Sequence, residues 1–326
     1  MKFKFSFLSG VIFVIAFFSL SAHALTFSLP SGDNAVVGMN QQATVEFNED
    51  VTDIGQKYDV GYLELTDANP HVDFNHLRVG QKLIIPTRFI LPNAPRKGIV
   101  INVSELRLYY YPPNQSVVIT YPVGIGREEA ITPLIKTYIS DKKEHPEWIP
   151  TDQTRQEAMG KGIILPKVVE AGPDNPLGDY AMRMGMRSYL IHGTNDPSGV
   201  GIRSSAGCIR MYPEDVKELF PLVPIGMAVN IIDQPYKLGW NRDHLDMEVH
   251  IPLEYKNKPV PDTIAPIVDQ IKPYIKGSYH AEIDWDRALK VMRGRRGVPE
   301  YVGRRDISNV NTAGTIETTS SQTIDQ

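Results

Sequence analysis

Between Gly98 and Val123 three apolar runs crowd together: Gly98-Ile99-Val100-Ile101-Asn102-Val103, Leu106-Arg107-Leu108-Tyr109-Tyr110-Tyr111 and Ser116-Val117-Val118-Ile119-Thr120-Tyr121-Pro122-Val123. Only Ser-Glu and Pro-Pro-Asn turns separate them. Their alternation and their β-branched and aromatic content make them antiparallel strands of a β sandwich or barrel. The chain has 326 residues, more than one typical domain, so a second folded unit is expected beside this one.

The first 24 residues read as a secretory leader. Lys2 and Lys4 precede an apolar run from Phe5 to Leu20, and Ala22-His23-Ala24 supplies a small-residue exit, so cleavage is expected after Ala24. The rival reading is an uncleaved anchor, but the run falls short of the roughly 20 residues that span a bilayer. No transmembrane segment is expected after cleavage. Losing Lys2 and Lys4 moves the formal charge from −4 to −6, which argues against nucleic acid as a partner, since that calls for a basic face. Heptads, a P-loop, a Gly-x-Gly-x-x-Gly after a strand and tandem repeats are all missing from the sequence.

Cys208 is the only cysteine. An exported protein normally pairs its cysteines, so a single thiol kept there is more plausibly chemical than structural. Sixteen positions upstream, His192 ends the apolar run Tyr189-Leu190-Ile191, and Gly, Ser, Asn and Pro crowd the segment between. This predicts a strand, a loop and a return. An imidazole that takes the thiol proton gives a thiolate–imidazolium pair. Gly207 would let the amides of Gly207 and Cys208 face an oxyanion, and the Gly193 carbonyl would fix the His192 tautomer. From spacing alone the alternative stands: a small buried Cys and a satisfied core His.

The string His192-Gly193-Thr194-Asn195, followed by Gly201-x-x-x-Ser205-x-Gly207-Cys208-Ile209-Arg210-Met211, resembles the signature of the L,D-transpeptidase (YkuD-type) catalytic domain, in particular its ErfK/YbiS/YcfS/YnhG group. The resemblance extends over 97–233. It implies a mainly β catalytic domain with few helices, and a periplasmic transferase that attacks peptidoglycan tetrapeptide stems. Cys208 would be the nucleophile and His192 the general base and acid. The thioester would pass to an amine, giving either a 3-3 crosslink or attachment of an outer-membrane lipoprotein or β-barrel to the wall. No cofactor is implied. The common Thr-Pro-x-Gly is Thr132-Pro133-Leu134-Ile135 here. A Cys-His hydrolase and a non-catalytic wall-binding protein are the rival functions.

Four residues stand out as substrate contacts. Arg210 either pairs with the carboxylates of an anionic stem peptide or serves in a structural salt bridge. Ser205 either touches substrate or shapes the turn. Tyr189 precedes the histidine strand, and Trp148 sits in the Pro- and Gly-rich excursion 142–178 that is expected to wall the cleft.

Around this domain the chain divides further. Residues 25–42 are polar and aperiodic, and read as a linker. Over 43–87 the order strand, helix, helix, strand, with Ala68-Asn69-Pro70 and Val79-Gly80-Gln81-x-Leu83-x-Ile85-Pro86, resembles a small α+β LysM module. That implies binding to peptidoglycan glycan, although the usual Gly-Asp-Thr is Asn48-Glu49-Asp50. Residues 234–305 form a C-terminal extension with helices over 262–276 and 284–293. There His244 and His250 lack the Cys partners or helical spacing of a metal site, and Arg293, Arg295, Arg296, Arg304 and Arg305 read as a solvated face. Residues 306–326 are polar and read as a disordered tail.

Overall fold

The computed structural model describes residues 24–186, 188–253, 263–276 and 280–306. The expected leader, apart from Ala24, and the expected tail beyond Asp306 lie outside them.

The stretch read as a linker is built of strands instead. β1 (Leu25–Ser28) pairs antiparallel with Val117–Thr120. β2 (Val36–Gly38) and β3 (Gln41–Thr44) follow. Each is too short to show alternation, and each finds its partner far along the chain, which local composition does not encode. β3 pairs with β4 (Lys82–Ile85), and β2 with β5 (Arg88–Ile90). Between them lie α1 (Val51–Tyr58) and α2 (Tyr62–Ala68). Asp50 caps α1 through a capping box with Asp53. Ala43, Val45, Ile54, Val60, Leu65, Leu83 and Ile85 fill this small α+β core.

The central sheet has nine strands, with β1 at one edge. The three tyrosine- and valine-rich runs become β6 (Gly98–Asn102), β7 (Arg107–Tyr111) and β8 (Val117–Pro122), an antiparallel meander. After the short β9 (Ile125–Gly126) comes β10 (Lys136–Glu144), then the exposed α3 (Asp152–Gly160) inside the excursion. β11 (Tyr180–Met184), β12 (Leu190–His192), β13 (Arg203–Ser205) and β14 (Ile209–Arg210) follow. α4 (Pro213–Leu222) and β15 (Ala228–Ile232) close the domain. The sheet order is β1-β8-β7-β6-β15-β10-β11-β12-β14. Two of its pairings, β6 with β15 and β12 with β14, are parallel. Ile99, Ile101, Leu108, Met182, Ile191, Ile209, Val216 and Leu219 are buried in one core, each such side chain contributing about 1.5–3 kcal/mol.

The C-terminal extension is a separate sheet. β16 (Tyr236–Asn241), β17 (His244–Val249), α5 (Ala265–Lys276), β18 (Ala281–Ile283), α6 (Trp285–Gly294) and β19 (Glu300–Arg305) follow in order, with sheet order β16-β17-β19-β18. Arg305 is tied down rather than solvated: it grips Asp33 with both carboxylate oxygens, at 2.7 and 2.8 Å, and lies over the Trp240 ring.

Buried charges join the three units. Arg107 of β7 pairs with Glu64 of α2 at 2.7 and 2.9 Å and donates to the Asp59 carbonyl at 3.0 Å. Lys237 of β16 sits between Glu105 and Glu248 at 2.8 and 2.7 Å and donates to the Ile90 carbonyl.

Candidate active site

The parallel pairing of β12 with β14 sets Ile191 beside Ile209 and His192 beside Arg210. Strand alternation turns the two isoleucines into the core and leaves Leu190, His192, Cys208 and Arg210 on the other face. His192 therefore ends β12 while Cys208 immediately precedes β14, offset by two positions. The loop between them is folded, not slack. Asp196 caps a turn of 3₁₀-helix at Pro197–Gly199, and β13 pairs with β9.

His192 is only 4% exposed. Its Nδ1 lies 2.6 Å from the Gly193 carbonyl, and since a carbonyl can only accept, Nδ1 carries the proton and Nε2 the lone pair. The Leu177 carbonyl faces the same ring. Burial, reinforced by the charge of Arg210, pushes the imidazole down to about 4, so it is neutral at pH 7.

Cys208 is partly exposed, and its Sγ donates to the Ser188 carbonyl at 3.5 Å. Burial pushes the thiol up, while the Leu190 amide and the charges of Arg210 and Arg183 pull it back. The thiolate–imidazolium pair expected from the residue types is not what the fold holds. Desolvation opposes both charges, and the site rests as neutral thiol and neutral imidazole.

The turn before the thiol also departs from expectation. Gly207 stands at φ 106°, and a Cβ there would sit 2.8 Å from the Tyr189 ring. The glycine thus makes room for Tyr189. Its amide is not free to face an oxyanion: it donates to Ser205 Oγ at 3.1 Å, and Ser205 Oγ donates to the Cys208 carbonyl at 2.6 Å. Thr132, whose importance spacing alone did not reveal, donates to the Gly207 carbonyl and accepts from the Gly126 amide, both at 2.9 Å.

Arg210 is partly buried against Gly199, where a Cβ would fall 2.1 Å from its Nη1. Among the described residues no carboxylate lies within ion-pair distance of it, and its buried Nε has no hydrogen-bond partner. Asp196 attracts the guanidinium from beyond ion-pair distance. Trp148 is held in the excursion by a two-way backbone bridge to Val169, at 2.8 and 2.9 Å, and not by β12 or β14. The excursion itself is organised by Asn175, fully buried, which donates to the Pro146 carbonyl and accepts from the Leu177 amide at 2.8 Å. Because the Leu177 carbonyl faces His192, Asn175 couples the excursion to the imidazole.

Glu105, Glu248 and His250 converge closely enough to suggest a metal. The Lys237 ammonium already sits between the two carboxylates, and His250 bonds Glu248 at 2.7 Å. The donor set is matched by a cation that belongs to the chain.

Residues 96–231 match the family model for the L,D-transpeptidase catalytic domain, and residues 43–86 match the LysM domain. The probable L,D-transpeptidase YcfS of Escherichia coli K12 is 41% identical over 296 residues, covering 89% of this chain and 92% of that protein. The chain belongs to the L,D-transpeptidase family. Two further relatives are similar over most of their length. The probable L,D-transpeptidase ErfK/SrfK of the same strain is 40% identical, covering 89% of this chain and 94% of its own. The corresponding figures for the probable L,D-transpeptidase YbiS are 42%, 78% and 84%. In this L,D-transpeptidase the matched catalytic segment contains both β12 and β14, so His192 and Cys208 fall within it. The LysM module docks on the loop between them, with the amides of Tyr62 and Leu63 donating to the carbonyls of Val200 and Gly201 at 3.4 and 3.1 Å.

Proposed function

We propose that this L,D-transpeptidase works in the periplasm on peptidoglycan tetrapeptide stems, with Cys208 as nucleophile and His192 as base. The observation that carries the reading is the His192 ring, anchored through Nδ1 to Gly193 on the sheet face that also holds the half-exposed thiol. The mechanism requires the Cys208 side chain to turn from the Ser188 carbonyl so that Sγ meets Nε2. The proton then passes to the imidazole as sulfur attacks the carbonyl of the third stem residue, diaminopimelate. Terminal D-Ala leaves with that proton, and an amine discharges the thioester.

With the Gly207 amide engaged by Ser205, the oxyanion role falls to the Cys208 amide. Arg210, a cation with no direct ion pair among the described residues, pairs with a carboxylate of the stem, and Tyr189 borders the cleft. The LysM module holds the glycan. The acceptor is a second diaminopimelate side chain or an amine of an outer-membrane protein.

Mature protein incubated with purified tetrapeptide stems, with and without an added amine, tests this by product mass. A crosslinked dimer or an amine adduct, lost in Cys208→Ala, is the expected result. Tripeptide alone would assign a hydrolase, and no turnover with sacculus binding retained would assign a binding protein.

A further inference from the structure

Leu25, the first residue of β1, opens onto a buried acidic pocket where three parts of the fold meet. Its backbone N–H donates to Asp59 Oδ2 at 2.9 Å. Asp59 caps the C-terminus of α1 and is 3% exposed, and Asp215 of α4 is 6% exposed. Glu218, one helical turn further along α4, accepts from the Ala24 N–H at 3.4 Å. The Asp59 and Asp215 carboxyls hydrogen-bond to each other, and the hydroxyl of Tyr121 from β8 turns to Glu218; no N–H donor reaches Asp59 Oδ1 or Asp215 Oδ2.

The charges do not balance. The nearest cation, Arg107, is committed to Glu64 by two hydrogen bonds and gives Asp59 only a contact to its carbonyl. Asp59 and Asp215 therefore face each other as two carboxyls with at most a shared proton between them. Burial pushes Asp59 up to about 7 and Asp215 well above the usual carboxylate range. Burial keeps such a pair from ionising fully, and a cation with several N–H donors entering beside it would let both carboxyls ionise.

We propose that the pocket is the binding site of the protein's own mature amino terminus, the α-ammonium of Leu25, which pairs with Asp59 and Asp215 and so locks the LysM module to the catalytic sheet. The proposal rests on the reading that the leader is cut after Ala24. A signal-cleaving protease hydrolyses the Ala24–Leu25 peptide bond with one water. The carboxylate stays on Ala24, and the new amine takes up a proton. One amide N–H becomes three ammonium N–H groups at the same point, 2.9 Å from Asp59 Oδ2 and on the carboxyl that is bonded to Asp215. Removal of Ala24 also releases Glu218. Assembly of the two modules is then completed only after export.

The test uses full-length protein purified after its own processing. Intact mass gives the starting residue, and NMR of the ¹³C-dimethylated amine gives its titration. Two variants are compared by thermal melting: one with an alanine inserted between Ala24 and Leu25, which keeps every side chain and moves the amine outward, and Asp59→Asn. The expected result is a Leu25 start and an amine titrating above the ordinary range of about 7.7–8.0. Tm should fall by about 5 °C or more in each variant, with no further fall when the two are combined. A Leu25 start with an ordinary amine titration, or additive losses in the double variant, would overturn the proposal while leaving the maturation reading intact. A different starting residue would remove the maturation reading and the proposal with it.

Discussion

Arg107 and Glu64 form a two-pronged ion pair, at 2.7 and 2.9 Å, with the arginine fully excluded from solvent and the glutamate 7% exposed. One partner belongs to the meander of the central sheet and the other to the LysM module. The guanidinium also lies over the Phe89 ring, 4.4 Å from its centroid. The two modules are thus fastened by a contact whose failure leaves a bare charge inside the molecule.

Replacing only Arg107 with Met should therefore cost about 3–5 kcal/mol, because Glu64 stays buried without a partner. Replacing Glu64 with Leu as well should recover most of the loss. Thermal melts of the two single variants and the double variant check this, and a double variant as weak as Arg107→Met would refute it.

The neutral resting state of the thiol and imidazole sets the pH behaviour. Alkylation of Cys208 by iodoacetamide should be slow at pH 6–7 and rise only beyond the ordinary thiol range, above about 8.5. An ion pair would already react at pH 5. Catalysis by neutral His192 should lose its acid limb near the value of about 4 to which burial and Arg210 hold the ring. Arg210→Gln should move that limb upward, since a neighbouring positive charge disfavours imidazolium, and should also slow alkylation by raising the thiol.

Ser205 holds both sides of the turn before Cys208. In Ser205→Ala the Gly207 amide and the Cys208 carbonyl lose their partner, at about 0.5–1.5 kcal/mol for each bond. Turnover should fall about 10-fold or more, with a smaller relative loss in substrate affinity, and circular dichroism should stay unchanged. Unaltered kcat would show that the turn is held by Thr132 alone.

Gly207→Ala combines a left-handed backbone with a clash against Tyr189. Strain of about 1–3 kcal/mol is expected from the backbone alone. Tyr189→Ala in the same chain should relieve the clash and leave that backbone part, so the double variant should melt above Gly207→Ala and below the parent.

Much of the fold was legible in local pattern. The β-branched runs that became β6, β7 and β8 carry their alternation in consecutive residues. β1 and β2 were not legible, because strands of three or four residues have no period and owe their existence to partners some 50 to 95 positions away. Asn175 and Thr132 were hidden for the same reason: each organises backbone groups that only the folded loops bring together. Gly207 was noticed for the right position but the wrong neighbour, since the nearby Tyr189 ring takes the space that composition left open.

The sequence by itself determined the kinds of chemistry available, a single thiol, an imidazole and a glycine-lined bend on a β framework, because residue type and short-range order are written directly in the chain. Tertiary structure decided their state. Burial made the imidazole and the thiol neutral, Ser205 claimed the Gly207 amide, and Arg210 forms no direct ion pair among the described residues. Those outcomes depend on which groups exclude water from one another, and exclusion of water is a property of packing across distant segments.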